Sequence, residues 1–339
     1  MRPFTYQRVD APEQAVMAAR APTANDTPPT MAQAQFIGGG TTLLDLMKLD
    51  VMQSQTLVNV AHLPARIEIT DKGLYLTGAV RMAQAAEDEN VRREFPVIAD
   101  SLKLAASQQL RNMATLAGNV LQRTRCNYFR DVSYAQCNKR NPGSGCAALD
   151  GHNRLHAILG TSEHCIASYP GDFAQALIAL DAQVEVAGPN GARSLPFADL
   201  HREPGDTPHI ETVLAPGELI TGFTVPRGGW TRRSLYLKVR DRESYAFATA
   251  SAAVALEMDG STVTEARIAL GGVATKPWRA REAEAELVGK TLDQPTLDAA
   301  ARAAFKDAKG YEYNAFKAEL GRRTLTRALL DAGKMEIRP

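Results

Sequence analysis

The stretch that decides the fold reads Phe36-Ile37-Gly38-Gly39-Gly40-Thr41-Thr42-Leu43-Leu44-Asp45-Leu46-Met47. A strand pattern at Ala34 to Ile37 leads into the glycines, and the apolar spacing after them predicts a helix capped by a threonine. This order can cradle an anion, because glycines let main-chain amides approach phosphate oxygens and the helix end adds positive potential. A plain tight turn is the alternative, since the segment matches neither GxGxxG nor a P-loop.

A second segment of small residues reads Arg111-Asn112-Met113-Ala114-Thr115-Leu116-Ala117-Gly118-Asn119-Val120. Its glycine and asparagine make it unsuited to a plain core helix. By itself it is a weaker indication of phosphate binding than the glycine triplet. As two small-residue loops of one domain, however, the segments could enclose a pyrophosphate from both sides.

The surrounding pattern is that of a mixed α/β domain followed by a smaller α+β domain. The first part predicts a helix at Ala11 to Ala21, a loop at Pro22 to Thr30, a hairpin around Asp71-Lys72-Gly73 and helical structure from Met82 to Ala106. Regular structure then resumes with a helix at Asp172 to Leu180 and strands at Gln183 to Val186 and Leu219 to Val225. Arg227-Gly228-Gly229 marks a boundary, after which we expect strands at 234–240, 246–258 and 263–270 and helices at 295–308 and 315–332.

Composition narrows the classes of partner. Lysine and arginine number 39 against 38 acidic residues in 339, so the net charge of +1 gives no reason to expect a nucleic acid or a membrane surface. No apolar run approaches the roughly 18 residues of a membrane span. The start at Met1 lacks the apolar core of a signal peptide, so we expect no export signal of its own.

The cysteines are the most informative residues outside the two loops. Cys126, Cys137, Cys146 and Cys165 are separated by ten, eight and eighteen residues, within a stretch from Arg123 to Ala167 that has little periodicity. Without a CxxC pair, a zinc ribbon or a thioredoxin motif fits poorly. The spacing leaves three interpretations open, namely a [4Fe–4S] cluster, a structural zinc ion, or disulfides and unrelated thiols. Five cations of the segment would offset the charge of a thiolate-bound metal: Arg123, Arg125, Arg130, Lys139 and Arg140.

The two glycine-bearing segments together resemble the flavin subunits of the xanthine dehydrogenase and molybdenum hydroxylase family. Within that family, the likeness is strongest to the FAD-binding subunits of bacterial periplasmic aldehyde oxidoreductases, through Leu121 to Cys126, Cys137 to Arg140, Pro142 to Leu149 and Lys238 to Ala248. The resemblance implies that both loops bind the FAD pyrophosphate. It further implies that Asp172 contacts the nucleotide half and that Ile220 and Lys238 lie toward the flavin. The full set of implied FAD contacts is Phe36, Ile37, Gly38, Gly39, Gly40, Thr41, Thr42, Leu43, Ala105, Thr115, Leu116, Ala117, Gly118, Asn119, Asp172, Ile220 and Lys238.

The resemblance also has implications for the fold and for the metal site. It implies a two-part PCMH-type, vanillyl-alcohol-oxidase-like FAD-binding domain over 1–228, divided near residue 62, and a CO dehydrogenase flavoprotein-like α+β domain over 229–339. It implies that an insertion at about 122–167 carries a [4Fe–4S] cluster on the four cysteines. Ala117 stands where a glycine is common, which is tolerable if its φ is negative. Because the pyrophosphate loops lie outside the insertion, we expect Cys137→Ser to lower iron content and leave FAD in place.

The function implied is electron transfer within an oxidoreductase complex. Aldehyde would be oxidised at a molybdenum cofactor on a large subunit, electrons would pass through a [2Fe–2S] small subunit, and this chain's FAD would pass them to an external acceptor. Lys238 would then lie at the flavin edge or simply face solvent, and Tyr245 would pack on the ring or in the core. Location would be periplasmic by co-transport with a signal-bearing partner, or cytoplasmic without export. The alternatives are another molybdenum hydroxylase such as 4-hydroxybenzoyl-CoA reductase, a stand-alone flavin oxidase, and a zinc-stabilised scaffold.

Overall fold

The computed structural model describes residues 1–20 and 27–337. Most of the loop expected at Pro22 to Thr30, and the last residue of the helix expected at Ala11 to Ala21, lie outside these residues. Within them, helix α1 spans Pro12–Ala18, and a single 3-10 turn spans Pro29–Met31. None of the described helices is long and apolar enough to cross a membrane.

A small parallel sheet carries the glycine loop. Its strands are β1 (Thr5–Arg8), β2 (Ala34–Ile37) and β3 (Thr56–Asn59), in the order β1-β3-β2. The predicted strand at Ala34 to Ile37 is confirmed, and helix α2 (Leu43–Lys48) follows the glycines. The predicted threonine cap is wrong in one respect, because Thr42 occupies the N-cap position but its side chain makes no capping hydrogen bond.

Five short helices cover the stretch between the hairpin and the cysteines. They are α3 (Met82–Glu87), α4 (Glu89–Glu94), α5 (Pro96–Lys103), α6 (Gln108–Met113) and α7 (Leu116–Val120). The predicted helical structure from Met82 to Ala106 is confirmed, and it consists of three short helices. Asp88 ends the first piece and caps the second by accepting from the amides of Asn90 and Val91, and Pro96 begins the third.

The cysteine segment has little regular structure, as its sequence predicts. Helix α8 (Asn127–Arg130) follows Cys126 directly, and isolated bridges pair Cys137 with Cys146 and Ser162 with Cys165. Buried polar groups hold the segment, because the Arg140 guanidinium donates to the main-chain carbonyls of Tyr128 (2.7 Å) and Phe129 (2.8 Å). Polar contacts thus order this region in place of an apolar core.

A five-stranded antiparallel sheet forms the floor of the first domain. Its strands are β4 (Ile67–Thr70), β5 (Gly73–Thr77), β6 (Gln183–Gly188), β7 (Gly191–Pro196) and β8 (Leu219–Pro226), in the order β4-β5-β8-β6-β7. The predicted hairpin is confirmed as β4 and β5. The edge strand β7 is exposed at every residue except Leu195, so it lacks the apolar alternation by which a strand is recognised.

The C-terminal part is an antiparallel sheet backed by helices. Its elements are β9 (Ser234–Val239), β10 (Ala250–Asp259), β11 (Thr262–Gly271), β12 (Trp278–Arg279), α10 (Arg281–Leu287), α11 (Gln294–Ala304) and α12 (Phe316–Gly333). The strand order is β12-β11-β10-β9. Helix α9 (Phe173–Ala179) and α5 pack on this sheet, so the core of the first domain continues to Tyr236 and Ala253. The α+β class predicted from the sequence is confirmed.

Candidate cofactor site

One large cavity brings together most residues expected to bind FAD. Its volume is about 1000 Å³, and its wall is formed by the glycine loop, by α7, by β8 and by part of the cysteine segment. The expected residues that line it are Phe36, Ile37, Gly38, Gly39, Gly40, Thr41, Thr42, Leu43, Ala105, Thr115, Ala117, Gly118, Asn119, Asp172 and Ile220. Leu116 and Lys238 lie outside its wall, because Leu116 is buried in the core and the Lys238 side chain is engaged behind it.

The two small-residue loops touch each other at this cavity. A Cβ atom at Gly38 would overlap the Thr115 hydroxyl, and one at Gly39 would overlap the Met113 carbonyl oxygen. Gly40 has a φ of +72°, which favours glycine. The first two glycines are thus required by the close approach of the second loop, and the third by the turn itself.

The amides of the glycine loop are the clearest sign of an anion site. Among the described residues, the main-chain amides from Gly38 to Thr42 meet no acceptor, and the first paired amide after them, that of Leu44, donates to the Gly40 carbonyl at 3.1 Å. A run of unpaired amides facing a cavity is suited to bind phosphate oxygens. These residues therefore fit the pyrophosphate of FAD.

The second loop contributes in a different way. The amides of Leu116 and Ala117 donate to the carbonyls of Val80 (2.9 Å) and Gly78 (3.0 Å), and the Gly118 amide donates to the Thr115 hydroxyl (3.2 Å). These donors are already used, so this loop closes the cavity with small side chains. Ala117 does not have a positive φ, which explains why a methyl group is tolerated there.

Asp172 and Lys238 form a buried ion pair at the back of the cavity. The Lys238 amine lies 2.7 Å from Asp172 Oδ2 and also donates to the Leu104 carbonyl at 3.1 Å. The Tyr236 hydroxyl donates to Asp172 Oδ1 at 2.7 Å. Burial raises the pKa of the Asp172 carboxyl, and the two donors oppose that rise by stabilising its charged form.

The four cysteines line a second, small cavity of about 10 Å³. All four are free thiols. Burial raises the pKa of Cys126 to about 12 and raises those of Cys146 and Cys165, so lone thiolates are disfavoured there without a bound cation. The described residues contain no group of three or more His, Cys, Asp and Glu side chains arranged to hold one metal ion. By residue type alone, four cysteines that line one cavity match the set of ligands that a [4Fe–4S] cluster takes.

His156 lies beside this cavity and was given no role by the sequence. Its Nε2 atom is 3.1 Å from the Cys126 sulfur, and burial lowers the pKa of the imidazole to about 4. A neutral imidazole beside a thiol of raised pKa is not the activated pair that a cysteine nucleophile needs. The arrangement therefore argues against thiol-based catalysis at Cys126.

The two cavities share a wall. Lys139, Cys165 and Ala167 line both of them. The large cavity is also lined by Arg123, Arg125 and Arg130, which the sequence reasoning considered only as counter-charges for a metal. Arg123, Arg125 and Arg130 lie near Cys126 in the sequence. This proximity could have indicated that they have a second role besides balancing the charge of a metal.

Comparison with known families agrees with this geometry. The family described as FAD binding domain in molybdopterin dehydrogenase matches residues 2–228, and the CO dehydrogenase flavoprotein C-terminal domain matches residues 235–332. The chain therefore belongs to the FAD-binding subunits of the molybdenum hydroxylase family, a class of oxidoreductase subunits. The resemblance inferred from the glycine loops is confirmed.

Individual relatives support the same assignment. The chain is 47% identical over 338 residues to the aldehyde oxidoreductase FAD-binding subunit PaoB of Escherichia coli, which covers 98% of this chain and 99% of that protein. It is 27% identical over 273 residues to the carbon monoxide dehydrogenase medium chain of Afipia carboxidovorans, covering 79% and 76% of the two chains. The solved CO dehydrogenase of Oligotropha carboxidovorans has a TM-score of 0.74 at 23% identity, covers 98% and 99%, and shows the shared fold.

Proposed function

We propose that this chain is the FAD- and [4Fe–4S]-containing electron-transfer subunit of a heterotrimeric, molybdenum-dependent aldehyde oxidoreductase. The run of unpaired amides from Gly38 to Thr42, facing a cavity that the cysteine segment helps to close, carries the proposal. The 47% identity to an aldehyde oxidoreductase subunit supports the choice of aldehyde complexes over other molybdenum hydroxylases, such as a 4-hydroxybenzoyl-CoA reductase-like complex.

Different groups of residues have different roles in the proposed function. The Gly38 to Thr42 amides would hold the FAD pyrophosphate, and the small residues of Thr115 to Asn119 would exclude water from its other side. When bound, FAD supplies the redox chemistry. Asp172 on the cavity wall and Lys238 behind it form an ion pair that ties strand β9 to the wall. We assign no acid, base or nucleophile for aldehyde oxidation to this chain.

The partners follow from the proposed complex. Aldehyde oxidation is assigned to a large subunit that binds the molybdenum cofactor, and a [2Fe–2S] small subunit supplies electrons to this chain, which passes them to an external acceptor. A periplasmic location, reached by co-transport with a signal-bearing partner, belongs to the same proposal. Without export the complex would be cytoplasmic.

The cluster assignment rests on the four cysteines. Cys126, Cys137, Cys146 and Cys165 converge on one cavity without forming disulfides, and Lys139 offers a buried positive charge beside Cys165. A single zinc ion would require its ligands around one point, an arrangement that the described residues do not contain. The cluster is therefore proposed from the number of cysteines and from the family resemblance, since four thiolates can bind the four irons of such a cluster.

The test is metal and flavin analysis of the chain purified anaerobically with its partners. We expect about one FAD, four irons and four acid-labile sulfides per chain. Cys146→Ser should lower iron and sulfide, whereas Ser133→Ala, an exposed change in the same segment, should not. Zinc without sulfide would refute the cluster, and absence of flavin from the intact complex would refute the function.

A further inference from the structure

Two arginines of the cysteine segment are anchored on the glycine loop and its helix. Asp45, on α2, accepts from Arg130 Nη2 at 2.8 Å and lies 3.5 Å from Arg125 Nη1. Arg125 Nη2 is also 3.4 Å from the Thr42 hydroxyl. Because Arg125 directly precedes Cys126, the position of this guanidinium depends on the fold of the cysteine site.

These contacts leave positive charge at the wall of the large cavity. Arg125 and Arg130 share the single carboxylate of Asp45, and Arg123 and Lys139 share that of Glu211. Each group therefore carries one uncompensated positive charge. All four cations line the cavity, as does Glu211.

Some donors of these arginines have no partner. Among the described residues, Arg125 Nε, Arg130 Nη1 and Arg123 Nη2 are buried without an acceptor. Buried guanidinium donors without partners are costly, so an anionic ligand in the cavity would be favoured by both charge and hydrogen bonding. The unpaired amides of Gly38 to Thr42 face the same space.

We propose that Arg125 is a further pyrophosphate-binding residue, supplied by the cysteine segment, and that it couples filling of the cysteine site to FAD binding. This inference rests on the proposed function, since it takes FAD and the cluster as the ligands. A filled cysteine site fixes Cys126 and thereby holds Arg125 in place, so FAD binding does not bear the entropic cost of ordering it. Coupling of this kind is reciprocal, and bound FAD should retain the cluster.

The contacts of Arg125 lead to an expectation for cysteine variants that differs from the one drawn from the sequence. The pyrophosphate loops lie outside the insertion, which suggested that a cysteine variant would lose iron and keep FAD. In the structure, Gln122 to Arg125, Lys139 and Cys165 of the insertion line the FAD cavity. Loss of the cluster should therefore weaken FAD binding.

The experiment measures the dissociation constant of FAD by quenching of flavin fluorescence, with the full-length chain after anaerobic purification. We expect Cys146→Ser and Arg125→Ala each to weaken FAD binding by about tenfold, within the usual range of coupling between sites. The double variant should be weakened no more than either single variant. Arg125→Lys should restore part of the affinity, and Arg323→Ala, an exposed change on α12, should leave it unchanged.

Each outcome of this experiment supports or overturns a particular part of the proposal. Wild-type FAD affinity in folded Cys146→Ser would overturn the coupling, and wild-type affinity in Arg125→Ala would overturn the role of Arg125. If Cys146→Ser does not fold, chelation of iron from the wild-type chain followed by reconstitution should weaken and then restore FAD binding, and unchanged affinity would again overturn the coupling. A wild-type chain that binds FAD but contains no iron or sulfide would instead refute the proposed cluster.

Discussion

The Lys238 amine lies 2.7 Å from the Asp172 carboxylate, and the side chains of both residues are at most 4% exposed. The family resemblance assigns these residues to opposite ends of FAD, one toward the flavin and one toward the nucleotide. In the structure they form one pair across the back of the cavity. The ion pair therefore acts mainly on the stability of the folded cavity wall, rather than through direct contact with FAD.

Lys238→Met should destabilise the chain more than it weakens FAD binding. Removal of the lysine leaves the buried Asp172 carboxylate without its cation, which costs about 3–5 kcal/mol of unfolding free energy. The double variant Lys238→Met with Asp172→Asn removes both charges and should recover much of that loss. Urea unfolding of the FAD-saturated proteins measures the effect. Equal stability of Lys238→Met and the wild type would contradict it.

Gly39→Ala should abolish FAD binding. The added methyl group would overlap the Met113 carbonyl oxygen, so the glycine loop and the second loop would have to move apart. Gly191→Ala is the matched control, because it adds a methyl group with no neighbour within 4 Å at a φ of +100°, on a hairpin outside the cavity. The control should lower stability by about 1 kcal/mol and retain FAD. Flavin content after gel filtration distinguishes the two outcomes.

Because of the buried His201 side chain, we expect the unfolding free energy of the chain to fall in mild acid. Its Nε2 atom donates to the Val120 carbonyl at 2.9 Å, and burial lowers the pKa of the imidazole from 6.5 to about 4. Between these values the unfolded chain binds more protons than the folded chain, so this contribution is present above pH 6.5 and is lost as the pH falls toward 4. The nearby Glu211 carboxylate opposes the shift and Lys276 adds to it.

The corresponding variant is His201→Gln. Between pH 6.5 and 4, the unfolding free energy of this variant should fall by up to about 3 kcal/mol less than that of the wild type. At pH 7 the two proteins should differ only by the altered hydrogen bond and packing. Urea titrations at several pH values give the slopes, and parallel slopes would show that His201 does not titrate as its burial implies.

Local features of the fold were predictable and long-range contacts were not. The strand at Ala34 to Ile37 and the glycine turn follow from neighbouring residues, because periodicity and φ preference act over a few positions. The pairing of Asp172 with Lys238 and the contact of His156 with Cys126 join residues far apart in sequence. One chain without aligned relatives carries no signal for such contacts. The role of the arginines around Cys126 was missed because their charge suits a metal site and a phosphate site equally well.

The shared wall of the two cavities has a consequence for how such a subunit can evolve. Lys139, Cys165 and Ala167 face both spaces, so residues 122–167 are not a detachable module. A deletion of the cysteine segment would remove Gln122 to Arg125, Lys139 and Cys165 from the wall of the cofactor cavity. Gain or loss of the segment would therefore change the cofactor cavity as well as the cysteine site.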